Sequence, residues 1–193
     1  GAATLELMDA TPLRVGQAFP DTPAMIKALK VDKQAALLVE YQATSEAELR
    51  QVAEAALPTL AQLPVGGPVE LADDPVLRAG LWTLRKGLYT SVAGARKSGT
   101  TALLEDVVVP VANLAETCVD LAVLFDRYAY ADSVIFGHAK DGNIHFMITD
   151  RFENDDQMRR YIDFTEEMVE LVIANDGSLK AEHGTGREMA PFV

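Results

Sequence analysis

The stretch SVIFGHAKDGNIHFMIT, residues 133–149, sets two runs of strand-forming residues around Asp141-Gly142. Asp-Gly between such runs is the strongest short-range signal for a β-hairpin, through a type I′ turn whose two central residues need positive φ. A two-residue turn places Lys140 opposite Asn143, Ala139 opposite Ile144 and His138 opposite His145. Directly opposed residues share one face of a sheet, with Cβ atoms about 4.5–5.5 Å apart. The spacing therefore predicts a facing imidazole pair, built from two of the chain's three histidines.

Working outward, LLEDVVV at 103–109 reads as a strand. Pro110 starts a helix in which Leu114, Cys118, Leu121 and Phe125 follow helical spacing. Residues 155–175 read as a helix with Met158, Ile162, Thr165, Val169 and Val172 on one face, and SLKAE at 178–182 as a last short strand. The order β-α-β-β-α-β is ferredoxin-like and belongs to the α+β class, an antiparallel sheet with helices on one face. Upstream, residues 35–44 read as a strand, and Ser45 with Glu48 forms a capping box into a helix. A turn-rich stretch at 63–68 leads to a short strand at 69–72. Asp74-Pro75 then opens a helix that runs to about Tyr89. This earlier β-α-β-α segment is expected to extend the same sheet as a partial second unit. SVAGARKSGTT, residues 91–101, is basic and non-periodic, and reads as a loop. Residues 1–34 are expected to be a helical lead-in, with Thr22 as an N-cap and Pro23 at the first helical position. The domain proper is placed at 35–193.

At 193 residues and 49% hydrophobic content, the chain can build one sizeable core or two small fused ones. Its 17 basic and 29 acidic residues leave a net charge of -12. That field repels phosphates and argues against nucleic acid or an anionic membrane as partner. An anionic substrate must then meet a local basic site. The single cysteine, Cys118, excludes an internal disulfide and reads as core. No run approaches the roughly 18 apolar residues that span a bilayer. The opening GAATLELMDA reads as the interior of a longer protein.

Two neutral imidazoles at hairpin separation form a metal chelate, although the same pair could be two polar residues on a solvated sheet face. The third histidine, His183, follows Glu182 in AEHGTGR. His138, His145 and a carboxylate would complete a three-ligand site with open positions, leaving His183 as a general base beside it. A ferredoxin-like sheet sets its fourth strand next to its first, so spacing alone leaves open whether Glu182 reaches the hairpin or ends an exposed strand. Arg85 and the Arg96-Lys97 pair are candidates to hold a carboxylate, which arginine grips by two parallel hydrogen bonds. Their ordinary alternative is solvated surface charge.

LWTLRKGLYTSVAGARKSGTT, EDVVVPV, FGHAKDGNIHF and SLKAEHGTGREMAPFV, taken together, resemble the C-terminal domain of the FAD-linked oxidases. That family includes glycolate oxidase, D-lactate dehydrogenases and D-2-hydroxyglutarate dehydrogenases. GARKSGTT and KAEHGTGREMAPFV resemble most the large bacterial members that fuse an FAD domain, this domain and an iron–sulfur domain. The resemblance is strong over residues 82–193. It implies that His138, His145 and Glu182 ligate a divalent metal, zinc in most members. It implies His183 as catalytic base, Arg85 as the group that binds the substrate carboxylate, and Asn143 as a neighbour of the site. The partners it implies are a small 2-hydroxy acid and an FAD domain of the same longer chain, with no nucleic acid. A homodimer and a cytoplasmic location, or one at the inner face of a bacterial membrane, are further expectations. Leu104 stands where some D-2-hydroxyglutarate dehydrogenases carry a lysine, so a second substrate carboxylate is expected at Arg96 or Lys97. No glycine-rich flavin fingerprint is visible, and the chain alone is expected to be inactive. A metal-dependent hydrolase and a non-catalytic ferredoxin-like interaction domain are the alternatives.

Overall fold

The computed structural model describes every residue except Gly67, Pro68, Glu70 and Thr185. Five strands, β1 (Thr4–Met8), β2 (Ala36–Glu40), β3 (Thr101–Val108), β4 (Val134–His138) and β5 (Asn143–Asp150), form one sheet in the order β2-β1-β4-β5-β3. Every neighbouring pair is antiparallel. Among the described residues six α-helices accompany it: α1 (Ala10–Gln17), α2 (Ala24–Lys27), α3 (Glu46–Leu60), α4 (Pro75–Ala95), α5 (Leu114–Arg127) and α6 (Asp155–Ala174). The α+β class is as expected.

Strand alternation sorts side chains onto two faces. Val107, Ile135, Ile144, Phe146 and Ile148 point to one face and pack with Leu121, Leu124 and Phe125 of α5 and Phe164, Met168 and Val172 of α6. Met8, Val134, Phe136 and Met147 point to the other and pack with Leu13 of α1, Ile26 of α2, and Leu84, Leu88 and Val92 of α4. Helices therefore cover both faces, where one had been expected.

Further expectations are corrected. Residues 1–34 hold two short helices, α1 and α2, but they open on a strand, Thr4–Met8, paired on both sides with β2 and β4, and so belong to the sheet instead of leading into it. Thr22 does not cap α2; its hydroxyl donates to Gly16 O at 2.6 Å and so closes the end of α1. The strand expected at 178–182 shrinks to isolated bridges, Val108 with Ser178 and Ala181 with Gly184. In α6, Phe164, Thr165, Met168 and Val172 are buried, while Met158 and Ile162 are exposed, so the inward face is rotated from the expected one. The capping box holds in part: Ser45 accepts from Glu48 N at 3.2 Å, but Glu48 reaches back to Thr44. Helix α4 continues through residues 91–95, which had been read as loop. The short strand expected at 69–72 includes Glu70, and the turn at 63–68 includes Gly67 and Pro68, which lie outside the described residues; Val69, Leu71 and Ala72 are not in a strand.

The β4–β5 connection fixes the site. It has four residues, Ala139 to Gly142, where two were expected, so His138 pairs with Asn143 and Phe136 with His145. Gly142 closes the loop at φ 70° and its carbonyl accepts from Val109 N at 2.9 Å. A Cβ at Gly142 would stand 1.9 Å from Val109 O. Gly142→Ala combines a left-handed backbone with that clash and is expected to lose at least about 2 kcal/mol in urea denaturation.

Candidate metal and substrate site

Glu6 of β1 pairs with His138 of β4, and Asp106 of β3 with His145 of β5. Phe136 pairs with His145, and His138 with Asn143. Residues opposed in register share a face, so four adjacent strands aim Glu6, His138, Asn143, His145 and Asp106 the same way. Two-residue and four-residue loops both contain an even number of residues, and so both keep His138 and His145 on one face. The longer loop makes them diagonal neighbours, with ring centroids 5.2 Å apart and planes nearly perpendicular.

After α6 the chain returns along β3, touching it at Ser178. The bridge between Ala181 and Gly184 closes a tight turn with Glu182 and His183 at its tip, and Gly184 takes φ 77°. The turn overhangs the histidines. Glu182 Oε1 lies 3.1 Å from His138 Nε2 and 3.0 Å from His145 Nε2. The backbone N–H of His183 donates to Asp106 Oδ2 at 2.6 Å. The His183 ring stacks on His145 at a centroid distance of 4.7 Å. The convergence that spacing left open is thus made by a turn over the sheet.

The electrostatics distinguish the two imidazoles. Burial acts most strongly on His138 and disfavours its charged form, but the Glu6 and Glu182 carboxylates together outweigh it and raise its pKa. Burial depresses the pKa of His145, with His183 and His138 adding to the effect against Asp106 and Glu182. His138 Nδ1 lies 2.9 Å from Glu6 Oε1, and His145 Nδ1 lies 3.0 Å from Asp106 Oδ1. With both Nδ1 atoms facing carboxylates, both Nε2 atoms are free to face Glu182. One ligand atom from each of His138, His145 and Glu182 lies within 4.8 Å of the others, a donor set that fits a divalent transition metal such as zinc. Asp106, His145 and His183 form a second close group, in which Asp106 takes the supporting position behind His145.

Arg85 of α4 sits beside this cluster. Its Nη2 is 2.7 Å from Glu6 Oε2, and its guanidinium lies over the Phe136 ring at 5.4 Å. Asn143 donates to Asp106 Oδ1 at 2.7 Å and to Val107 O at 2.9 Å. Arg85 Nε and Nη2, Glu6 Oε2, His145 Nδ1 and Asn143 Oδ1 are buried with no hydrogen-bond partner among the described residues, so Arg85–Glu6 and His145–Asp106 are short electrostatic contacts without hydrogen-bond geometry. Arg96 and Lys97 are not brought to the site. Arg96 follows the end of α4 and donates to Thr100 O at 3.0 Å, while Lys97 pairs with Asp132 at 3.1 Å. Eleven residues of helix separate Arg96 from Arg85, about 16 Å at 1.5 Å per residue. Glu6 and Asp106 are the site members that sequence reasoning missed. A lone charged residue between two leucines of a short apolar run, as in TLELM, was the available signal for Glu6.

An antiparallel α+β fold gathers two imidazoles, a carboxylate and a buried arginine on one sheet face, a set of groups whose chemistry fits a metal and an anion. This chain belongs to the family "FAD linked oxidases, C-terminal domain", whose profile matches residues 1–193. It is 27% identical to glycolate oxidase subunit GlcD of Bacillus subtilis over 99% of its own length and 38% of that protein's. It is 32% identical to a probable mitochondrial D-lactate dehydrogenase of Danio rerio over 63% of the chain and 24% of the relative. The D-2-hydroxyglutarate dehydrogenase of Xanthomonas citri pv. viticola is 34% identical over 56% of the chain and 22% of the relative. Among solved structures, the 4-ethylphenol oxidase of Gulosibacter chungangensis matches with a TM-score of 0.54 at 12% identity, over 91% of this chain and 38% of that one, a likeness of fold. The chain thus spans well under half the length of these relatives.

The alternation that aims Asp106 at the histidines sends Glu105 to the opposite face, where it pairs with Phe146. Burial first, then the Glu188 and Asp106 carboxylates, pushes its pKa from 4.5 up to about 7. A carboxyl group raised in this way stabilises the fold fully below its unfolded pKa and loses that contribution as pH rises through the folded value. Glu105→Gln is therefore expected to stabilise the protein by on the order of 2 kcal/mol at alkaline pH and hardly at all below its ordinary pKa. Thermal unfolding at the two extremes measures the difference.

Proposed function

We propose that this chain is the substrate- and metal-binding part of a flavin-dependent D-2-hydroxy-acid dehydrogenase, acting on D-lactate, D-2-hydroxyglutarate or glycolate beside an FAD-binding domain of the same polypeptide. The observation that carries the reading is the single carboxylate oxygen of Glu182 standing about 3 Å from the Nε2 atoms of both His138 and His145. The orphaned Arg85 Nε and Asn143 Oδ1 next to it support a polar ligand at the same place. Relatives named for glycolate, D-lactate and D-2-hydroxyglutarate support the substrate class.

His138, His145 and Glu182 would hold a divalent cation, which would supply Lewis acidity toward the substrate hydroxyl. FAD would supply the redox chemistry as hydride acceptor. Arg85 fixes the substrate carboxylate by charge and by its planar fork of donors. Asn143 offers its free amide oxygen to a substrate hydroxyl. His183, whose Nε2 lies 3.6 Å from Glu182 Oε1, receives the hydroxyl proton. Stacking on His145 and the backbone bond to Asp106 hold its ring in place. Arg96 and Lys97 take no part.

Two measurements test this. Zinc titration of the protein is expected to give one bound ion per chain, lost in His138→Ala and His145→Ala. In the full-length flavoprotein, His183→Ala is expected to lower turnover of the preferred 2-hydroxy acid by about 10²-fold or more at unchanged flavin content. A metal-loaded chain that hydrolyses esters or phosphoesters without flavin would make it a hydrolase instead. Absence of metal uptake, with both histidine variants silent, would make it an interaction module.

A further inference from the structure

We infer that Glu6 and Asp106 are a matched pair of positioning residues, each of which links one metal ligand to one substrate-handling group. This rests on the function proposed above and extends it to two residues outside the ligand set.

The two carboxylates do parallel work. Glu6 sets Oε1 on His138 Nδ1 at 2.9 Å and Oε2 on Arg85 Nη2 at 2.7 Å. Asp106 sets Oδ1 beside His145 Nδ1 at 3.0 Å and accepts the backbone N–H of His183 on Oδ2 at 2.6 Å. Both are buried, at 5% and 6% exposure, on the same sheet face and on strands that flank the histidine pair. Asn143 donates to Asp106 Oδ1 and braces it.

An ionised carboxylate can only accept. Glu182 faces both Nε2 atoms in the same way, but it is half-exposed and can turn to water, whereas Glu6 and Asp106 cannot. In the neutral imidazoles the proton is therefore held at Nδ1, by a hydrogen bond to Glu6 in His138 and by the nearby Asp106 charge in His145, and Nε2 is left as a bare lone pair. A ring nitrogen freed in this way is what a metal needs, and carboxylates behind ligating histidines fix both tautomer and ring orientation. The second oxygen of each acid extends that control. Glu6 holds the guanidinium of Arg85 in a fixed relation to His138. Asp106 ties down the turn that presents both Glu182 and His183. Neither acid can relax into water, so each imposes one geometry on both of its partners.

The test uses Glu6→Gln and Asp106→Asn. An amide has one acceptor oxygen, so each variant must surrender one of its two contacts. Asp150→Asn is the control: Asp150 is as buried, at 4%, on the same strand as His145, but binds Tyr130 and Arg160. Zinc affinity, read by competition with a chelator, is expected to fall about 10–100-fold in the two site variants and to stay unchanged in the control. The second readout is ¹⁵N-histidine NMR of the metal-free protein at a pH well above the imidazole range. Both His138 and His145 are expected as Nδ1–H tautomers, with Glu6→Gln altering only His138 and Asp106→Asn only His145. Folded site variants that bind zinc like the wild type would overturn the inference. So would an Nε2–H tautomer at either histidine of the wild type, an observation that needs no variant to fold. Failure of the wild type to take up zinc would count against the proposed function, while the tautomers would still decide the role of the two acids.

Discussion

A sheet face accepts one side chain in two from each strand, and here four adjacent strands direct theirs as charge and imidazole at one level. Everything distinctive about this protein follows from that constraint. Glu6, Arg85, Asp106 and His145 are all less than a tenth exposed. Buried ionisable groups of this kind cost several kcal/mol each unless paired. Each finds a partner within the cluster, and the pairing is what lets a polar layer exist at the end of an apolar face.

The two faces divide the labour. One is apolar from Val107 to Ile148 under α5 and α6, and supplies the larger core. The other is apolar where α1, α2 and α4 lie, through Leu13, Ile26, Leu84, Leu88 and Val92. Between Leu84 and Leu88 the same helix contributes Arg85, buried beside Glu6. His138, Glu182 and His183 remain partly or well exposed along the open margin. A site half buried in this way has a rigid floor and an accessible mouth, which is the arrangement a small polar substrate requires.

Much of this was legible in residue order. The hairpin, the helices α4, α5 and α6, and the shared face of His138 and His145 followed from periodicity and turn chemistry. The histidines fell together even though the loop is two residues longer than expected, because parity survives any even change. The first strand was not legible: Thr4–Met8 is five residues long and gains its definition from β2 and β4 on either side. Glu6 was lost with it. The inward face of α6 was rotated because Phe164 and Met168 found partners in Phe125 and Phe146 that no local pattern names.

The sequence by itself determined that two imidazoles share a sheet face, that Glu182 and His183 follow the last helix beside two glycines, and that the chain's net charge confines any anion site to a few basic residues. Those are local facts, set by strand alternation, loop parity and composition. Only the tertiary structure decided that Glu182 closes over both histidines, that Glu6 and Asp106 stand behind them, and that Arg85 joins them while Arg96 and Lys97 do not. The reason is distance along the chain: Glu6 is 132 residues from His138, and Asp106 is 77 from His183. Contacts of that span are fixed by sheet order and helix packing, which no stretch of neighbouring residues encodes alone.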